Sequence, residues 1–156
     1  MSLYDSDFYG WTKDQAAALR RLASERPNVG ADIDWEHVAE EIEDMGNDTL
    51  MKIEGLVVQI VAHLLRLEYC PDADPRQHWR GEVTAWRNTV RRRAKRSPTA
   101  LARLDLAELA DDAVAELRAR YGDQEWVKEL PAGGGYTLAQ VLDRDWYPAN
   151  RADLPD

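Results

Sequence analysis

Apolar side chains recur at helical spacing along most of the chain, beginning close to its start. Thr12 and Gln15 have the spacing of a capping box, in which two side chains bond backbone N–H groups at a helix N-terminus. Apolar residues then return every three or four positions as far as Ala23, and Pro27 and Gly30 interrupt the pattern. The pattern predicts a first helix over residues 12–25.

The stretch "DWEHVAEEIEDMG", residues 34–46, predicts a second helix. Asp34 is a suitable N-cap because its carboxylate can accept hydrogen bonds from the first turn, and Gly46 is a suitable C-cap. A rotation of about 100° per residue brings the apolar side chains of this stretch to one side of the helix. We predict that this edge is buried, and it contains Trp35, Val38, Ile42 and Met45.

The following stretch, "DTLMKIEGLVVQIVAHLLRLEY", is apolar around most of a helix circumference. Its length and its lack of alternation favour a buried helix over a strand. We therefore predict a central buried helix over residues 48–69, which ends before Cys70 and Pro71.

The second half of the chain gives further helical patterns. Pro75 predicts the start of one helix, Ser97 and Pro98 predict the start of another that continues to Tyr121, and a capping box at Thr137 opens a short one. No segment alternates as a strand does. The sequence predicts an all-α fold, a single-domain helical bundle of about five main helices over residues 1–148. Residues 149–156 are predicted to be a loose C-terminal tail.

Composition places the chain among cytoplasmic proteins without a membrane segment. The start, "MSLYDSDFYGW", lacks the features of a signal peptide, and no apolar run approaches the ~18 residues that a membrane helix needs. The single cysteine, Cys70, has no partner for an internal disulfide and no zinc-site spacing. A reducing compartment fits this composition best.

Charge is distributed unevenly along this acidic chain, whose net charge is −9. Residues 87–96, "RNTVRRRAKR", form a basic segment. Its six cationic residues are candidates for binding a partner: Arg87, Arg91, Arg92, Arg93, Lys95 and Arg96. A nucleic acid would use such a segment through its phosphates, but the acidic chain disfavours that partner. Pairing with acidic residues of this chain or of another protein explains the segment better.

One stripe of the helix predicted at residues 34–46 carries candidate metal ligands. His37, Glu40, Glu41 and Asp44 share this stripe, opposite the apolar edge. A solvated helix face has the same pattern, whereas a divalent metal such as iron, manganese or zinc would need these side chains to converge. His63 is aligned with apolar residues and is predicted to be buried, with a carboxylate such as Glu40 or Glu43 as its partner. His63 is a further candidate metal ligand.

Six motifs occur in an order that resembles one known family. They are "YDSDFYGWTKDQAAALR", "DWEHVAEEIEDMG", "AHLLRLEY", "WRGEVTAWR", "SPTALARL" and "YTLAQVLDRDWYP". In this combination the chain resembles the bacterial family of domain of unknown function 29, from about Tyr4 to Pro148. The resemblance implies an all-helical domain and carries no activity, substrate or cofactor. Members of the family often have Asn in place of His37, so a site built on His37 is not a general property.

No catalytic motif is recognisable, and function remains open among three hypotheses. The leading one is an uncharacterised small helical protein that acts by protein–protein interaction, in the first instance by self-association. The second is metal binding or metal-dependent catalysis by His37, Glu40, Glu41 and Asp44. The third is nucleic-acid binding through residues 87–96.

Overall fold

The structure, a computed structural model, describes residues 1–155. These residues form eight α-helices and no strand, so the predicted all-α fold is confirmed. The helices are α1 (Leu3–Ser6), α2 (Phe8–Glu25), α3 (Trp35–Tyr69), α4 (Arg76–Arg96), α5 (Pro98–Leu101), α6 (Leu106–Tyr121), α7 (Glu125–Lys128) and α8 (Leu138–Leu142). Four of these described helices, α2, α3, α4 and α6, contain 16 or more residues.

The chain divides into two compact units. The first unit comprises Met1–Ile53 and Arg92–Leu104. The second unit comprises Glu54–Arg91 and the residues from Asp105 onward. The prediction of one domain over residues 1–148 stays a prediction.

Helix α2 begins earlier than its predicted capping box. Its N-cap is Asp7, whose carboxylate accepts a hydrogen bond from Gly10 N at 3.3 Å and another from the Thr99 hydroxyl. Thr12 lies inside the helix, fully buried, and its hydroxyl donates to the carbonyl of Tyr9 at 2.8 Å. The predicted start at Thr12 was wrong because a threonine can satisfy its hydroxyl within a helix as well as at a cap.

Helix α3 joins two predicted helices into one, so the predicted C-cap at Gly46 was also wrong. A Cβ atom added at Gly46 would lie 3.2 Å from Thr12 Cβ and nearer still to its hydroxyl oxygen. Gly46 therefore permits a close approach of α2 to α3 rather than ending a helix. Within residues 1–155, no helix has the length and apolar character that a membrane crossing requires.

Buried residues recur every seven positions along α3. Ala39, Gly46, Ile53, Ile60 and Leu67 are all buried, and this spacing keeps them on one side of the helix. The predicted central burial over residues 48–69 is confirmed for this side of α3. The burial continues past Gly46 toward the N-terminus of the helix, where the buried positions carry small side chains.

The predicted helix from Pro98 to Tyr121 is two helices in the structure. Asp105 separates them because its carboxylate caps α6, accepting a hydrogen bond from Glu108 N at 3.2 Å. The predicted short helix is confirmed as α8, and Thr137 and Gln140 form its capping box.

The C-terminal end of α3 is held by residues that follow position 148. Asn150 is buried, and its amide donates to the carbonyls of Leu67 at 2.8 Å and Cys70 at 3.0 Å. The backbone N–H of Arg151 donates to the Glu68 carbonyl at 2.8 Å. The last carbonyls of a helix lack partners within the helix, and these bonds supply them. Asn150 and Arg151 are thus anchored although they fall in the predicted tail, whose last residue, Asp156, lies outside the described residues.

Substitutions at two glycines of α3 test whether α2 approaches α3 closely at Gly46. Alanine favours a helix by about 1 kcal/mol over glycine, whereas overpacking a buried site costs about 1–3 kcal/mol. We expect Gly46→Ala to lower the free energy of unfolding by about 1 kcal/mol or more, measured by urea denaturation.

Gly55→Ala is the matched control, because a Cβ atom at that position would meet nothing within 4 Å. We expect this control to raise the free energy of unfolding by about 0.5–1 kcal/mol. Equal effects of the two substitutions would contradict the close approach at Gly46.

Candidate functional site

The N-terminal turn of α3 is organised by Asp34. Its carboxylate accepts a hydrogen bond from the backbone N–H of His37 at 3.3 Å, which confirms Asp34 as the capping side chain. The same carboxylate lies 2.6 Å from Nδ1 of His37. This hydrogen bond raises the pKa of His37 and lowers that of Asp34. His37 is therefore occupied by a local ion pair on an exposed surface.

The acidic stripe that the sequence proposed for a metal is solvated. His37, Glu40, Glu41 and Asp44 are all exposed. Among residues 1–155, no group of three or more His, Cys, Asp or Glu side chains is placed to hold a metal ion. The geometry therefore gives the metal hypothesis no support, and that hypothesis stays a prediction.

A neighbouring carboxylate, Glu43, ties α3 to α2. It forms ion pairs with Lys13 at 3.2 Å and with Arg20 at 2.9 Å. The hydrogen bond from Arg20, followed by that from Lys13, lowers the pKa of Glu43. Arg20 also pairs with Glu36 at 3.0 Å. Part of the acidic charge of α3 is thus neutralised inside the first unit.

The apolar edge of this part of α3 faces outward, contrary to the prediction. Val38 is 39% exposed and Met45 is 52% exposed, and Ile42 between them is half-buried. Trp35 is also half-buried, and its indole N–H donates to the Val29 carbonyl at 3.0 Å. Burial follows Ala39 and Gly46 instead, and at Gly46 the close approach of Thr12 on α2 leaves no room for a side chain. We call Val38, Ile42 and Met45 the apolar strip.

Two surface cavities meet at Met45. One, of about 350 Å³, is lined by residues of α3 and its cap, namely Asp34, His37, Val38, Glu41, Ile42 and Met45. The other, of about 270 Å³, is lined by Tyr4, Phe8, Met45, Thr49, Arg93, Arg96 and Ser97. Both lie within the first unit. The apolar strip is therefore continuous between an acidic end and a basic end.

Five of the six cationic side chains of the basic segment are exposed, and the sixth is buried. Arg93, Lys95 and Arg96 are exposed in the first unit, as are Arg91 in the second unit and Arg92 in the first. Arg87, by contrast, is only 1% exposed. This burial contradicts the prediction that Arg87 is available to bind a partner.

Arg87 fastens the C-terminal part of the second unit. Its guanidinium donates to the carbonyls of Val141 at 2.8 Å, Trp146 at 2.9 Å and Gln140 at 3.1 Å. Its face lies 4.8 Å from the centre of the Tyr147 ring. Burial lowers the pKa of Arg87, and the helix-end carbonyls supply the partial negative charge that a buried cation requires.

His63 is buried in the second unit, as predicted, but its carboxylate partner is Glu82. The Nε2 atom of His63 lies 2.7 Å from Glu82 Oε2, and its Nδ1 atom lies 3.0 Å from the Gln59 carbonyl oxygen. The predicted partners, Glu40 and Glu43, belong to the same continuous helix as His63, whereas Glu82 belongs to α4. The error follows from the wrong break at Gly46.

Arg66 and Glu82 are the important side chains that sequence reasoning did not assign. The motif "AHLLRLEY" contains a hint, since an arginine within an otherwise apolar helix face indicates a buried charge. Tyr4 and Phe8 were also missed as surface residues. Tyr4 lies on α1, which is too short to give a periodic pattern, and Phe8 is the first residue of α2, before the start that was predicted for that helix.

The burial of His63 gives a pH-dependent contribution to stability. Burial lowers the pKa of His63 and the charge of Arg66 acts in the same direction, while Glu82 opposes both. The unfolded chain, with a histidine pKa near 6.5, therefore binds the proton more readily than the folded chain. We expect the free energy of unfolding to fall as the pH decreases from about 6.5 through the pKa of folded His63.

His63→Gln removes this titration. We expect its free energy of unfolding, measured by urea denaturation, to depend less on pH than that of the natural chain between about pH 7 and pH 5, above most carboxyl pKa values. Identical slopes for the two chains would contradict a lowered pKa at His63.

Arg87→Lys tests the three carbonyl bonds of Arg87 at constant charge. A single ammonium cannot reproduce the guanidinium fork, and buried carbonyls without donors are costly. We expect a loss of about 3 kcal/mol in the free energy of unfolding. Arg91→Lys, an exposed control on the same helix, is expected to change it by less than about 0.5 kcal/mol. Similar small losses in both variants would refute the fastening role.

Comparisons with known proteins support the fold and assign no activity. The sequence profile of a family described as domain of unknown function DUF29 matches residues 3–147. The fold is similar to the 1.45 Å crystal structure of an alpha-helical protein of unknown function from Rhodospirillum rubrum. The two share 30% sequence identity with a TM-score of 0.73, over 94% of this chain and 92% of that chain. None of the curated proteins compared with the chain matches it. Because the family profile spans nearly the whole chain, the protein belongs to the DUF29 family.

Proposed function

We propose that this protein functions as a dimer of two identical copies, which associate through the apolar strip of the first unit. One observation carries the proposal: within residues 1–155, the large apolar side chains that are exposed all lie in the first unit. They are Met1, Leu3, Tyr4, Val29, Ile33, Val38, Met45 and Met51. Val38 and Met45 of this set belong to the apolar strip, and an exposed apolar patch of this kind is typical of an interaction site.

Burial of the strip supplies the driving force for association. Removing apolar surface from water contributes about 25 cal/mol per Å², so covering the strip and the adjoining Tyr4 and Phe8 is favourable. A stable interface buries about 800 Å² on each partner, which requires the strip and both of its flanking cavities. The dimer contact is therefore centred on Met45, where the two cavities meet.

The distribution of charge around the apolar strip supports a second copy of the chain as its binding partner. Asp34 and Glu41 border one end of the strip, and Arg93 and Arg96 border the other. A two-fold axis across the strip places the acidic end of each copy against the basic end of its partner. The same surface on the two copies is then complementary to itself in charge, and the apolar strips of the two copies face each other.

The remaining hypotheses have weaker support. The net charge of −9 disfavours binding of a nucleic acid, and Arg87 is buried and does not present its charge to phosphates. We place the dimer in the cytoplasm, where a reducing environment suits a chain with one buried, unpaired cysteine.

Met45→Glu tests the proposed contact. A carboxylate at the centre of the strip must lose water when the dimer forms, so we expect the dimer to weaken about 30-fold or more. Sedimentation velocity over a range of protein concentrations measures the change. Circular dichroism checks that the variant is folded.

Met51→Glu is the matched control. Met51 is 65% exposed on the same helix but lines neither cavity, so its substitution is expected to leave dimerisation unchanged. A natural chain that sediments as a monomer at every concentration would overturn the proposal, as would equal weakening by the two substitutions.

A further inference from the structure

A separate cavity in the second unit is lined by two arginines. Gln59 and Arg66 contribute to it from α3, and Glu116, Ala119 and Arg120 contribute from α6. Its volume is about 480 Å³, which is ample for a small molecule. This cavity shares no residue with the proposed dimer contact.

Arg66 is an unusual wall residue because it is almost fully buried. Only 7% of its surface is exposed. Its guanidinium lies 5.6 Å from the ring centre of Trp79 and 5.3 Å from that of Tyr121. These aromatic contacts engage the guanidinium and fix its orientation. The hydrogen-bonding edges of the group are not used by aromatic contacts of this kind.

Only part of the Arg66 guanidinium is hydrogen-bonded by the described residues. Its Nη1 approaches His63 Nε2 at 3.4 Å, and its Nε has no hydrogen-bond partner within residues 1–155. None of the ion pairs formed in that part of the chain includes Arg66. Burial lowers the pKa of Arg66, because its charge is removed from water without a carboxylate in contact. A buried cation in this condition is normally paired.

We propose that this cavity binds a small oxyanion, a phosphate or a carboxylate, between Arg66 and Arg120. The N–H groups of a guanidinium form a planar fork that matches two oxygens of such an anion. The bound anion supplies a counter-charge for both arginines. Arg120 is exposed at the cavity wall and contributes attraction as the anion approaches.

Glu116 is the negative charge that limits the affinity of the site. It lines the cavity and accepts a hydrogen bond from Gln59 Nε2 at 3.2 Å. Two guanidinium groups outweigh this one carboxylate, so the cavity retains a net positive lining. We therefore expect removal of the charge of Glu116 to strengthen anion binding and removal of the charge of Arg120 to weaken it.

The test is a titration of the full chain with inorganic phosphate and, separately, with acetate, at constant ionic strength maintained with sodium chloride. Chemical shifts of the arginine Nε–H groups measure binding. We expect saturable binding that perturbs Arg66. Binding of phosphate alone identifies a phosphoryl site, and binding of acetate as well identifies a general oxyanion site.

Three variants separate this site from general attraction to positive charge. Arg120→Gln is expected to weaken binding about tenfold, and Glu116→Gln to strengthen it about threefold. Arg118→Gln removes the same charge from α6 at an exposed position outside the cavity and is expected to have no effect. The proposal is overturned if neither anion binds saturably, or if Arg118→Gln weakens binding as much as Arg120→Gln.

Discussion

Helix α3 runs without a break from Trp35 to Tyr69, and its packing determines which apolar side chains of this long helix are buried. Burial follows the seven-residue spacing from Ala39 to Leu67, and every residue from Ile60 to Leu67 is buried. Near its N-terminus the buried positions with this spacing are Ala39 and Gly46, and α2 approaches closely at Gly46. The larger apolar residues beside these positions cannot occupy the same place, so Val38 and Met45 remain at the surface.

The placement of charge in the second unit follows from burial as well. Arg87 is stabilised by backbone carbonyls at the end of α8, whereas Arg66 lies between aromatic rings with one edge unsatisfied. The first arrangement is complete and fastens the C-terminal segment. The second has no carboxylate among the described residues in contact with it, and this difference distinguishes the structural arginine from the one that lines the proposed anion cavity.

Periodicity was sufficient to predict the all-α fold, the burial of residues in 48–69 and the capping box at Thr137. It did not predict the start of α2 before Thr12, the continuation of α3 through Gly46 or the break between helices at position 105. Threonine and glycine each occur in two structural settings. Glycine ends helices and also permits close packing, and threonine caps helices and also occurs within them. Only the position of a neighbouring helix distinguishes these cases, and a single sequence does not contain that position.

The candidate site was harder to predict than the fold for a related reason. The sequence predicted that the acidic stripe is solvated, and its four residues are exposed, but His37 and Glu41 line the same cavity as the apolar strip. It could not indicate that the apolar edge faces outward, because exposure depends on which side α2 covers. The partner of His63 and the burial of Arg87 likewise depend on contacts between helices distant in sequence.

Association of two copies through the apolar strip is tested by an exchange of charges between the ends of the strip. Under two-fold symmetry, Glu41→Lys and Arg96→Glu each place like charges in contact and weaken their own dimers. A mixture of the two variants restores opposite charges at both ends. Native mass spectrometry of the equimolar mixture is predicted to show mainly the heterodimer. Homodimers in statistical proportion, or no dimer at all, would contradict association through the apolar strip.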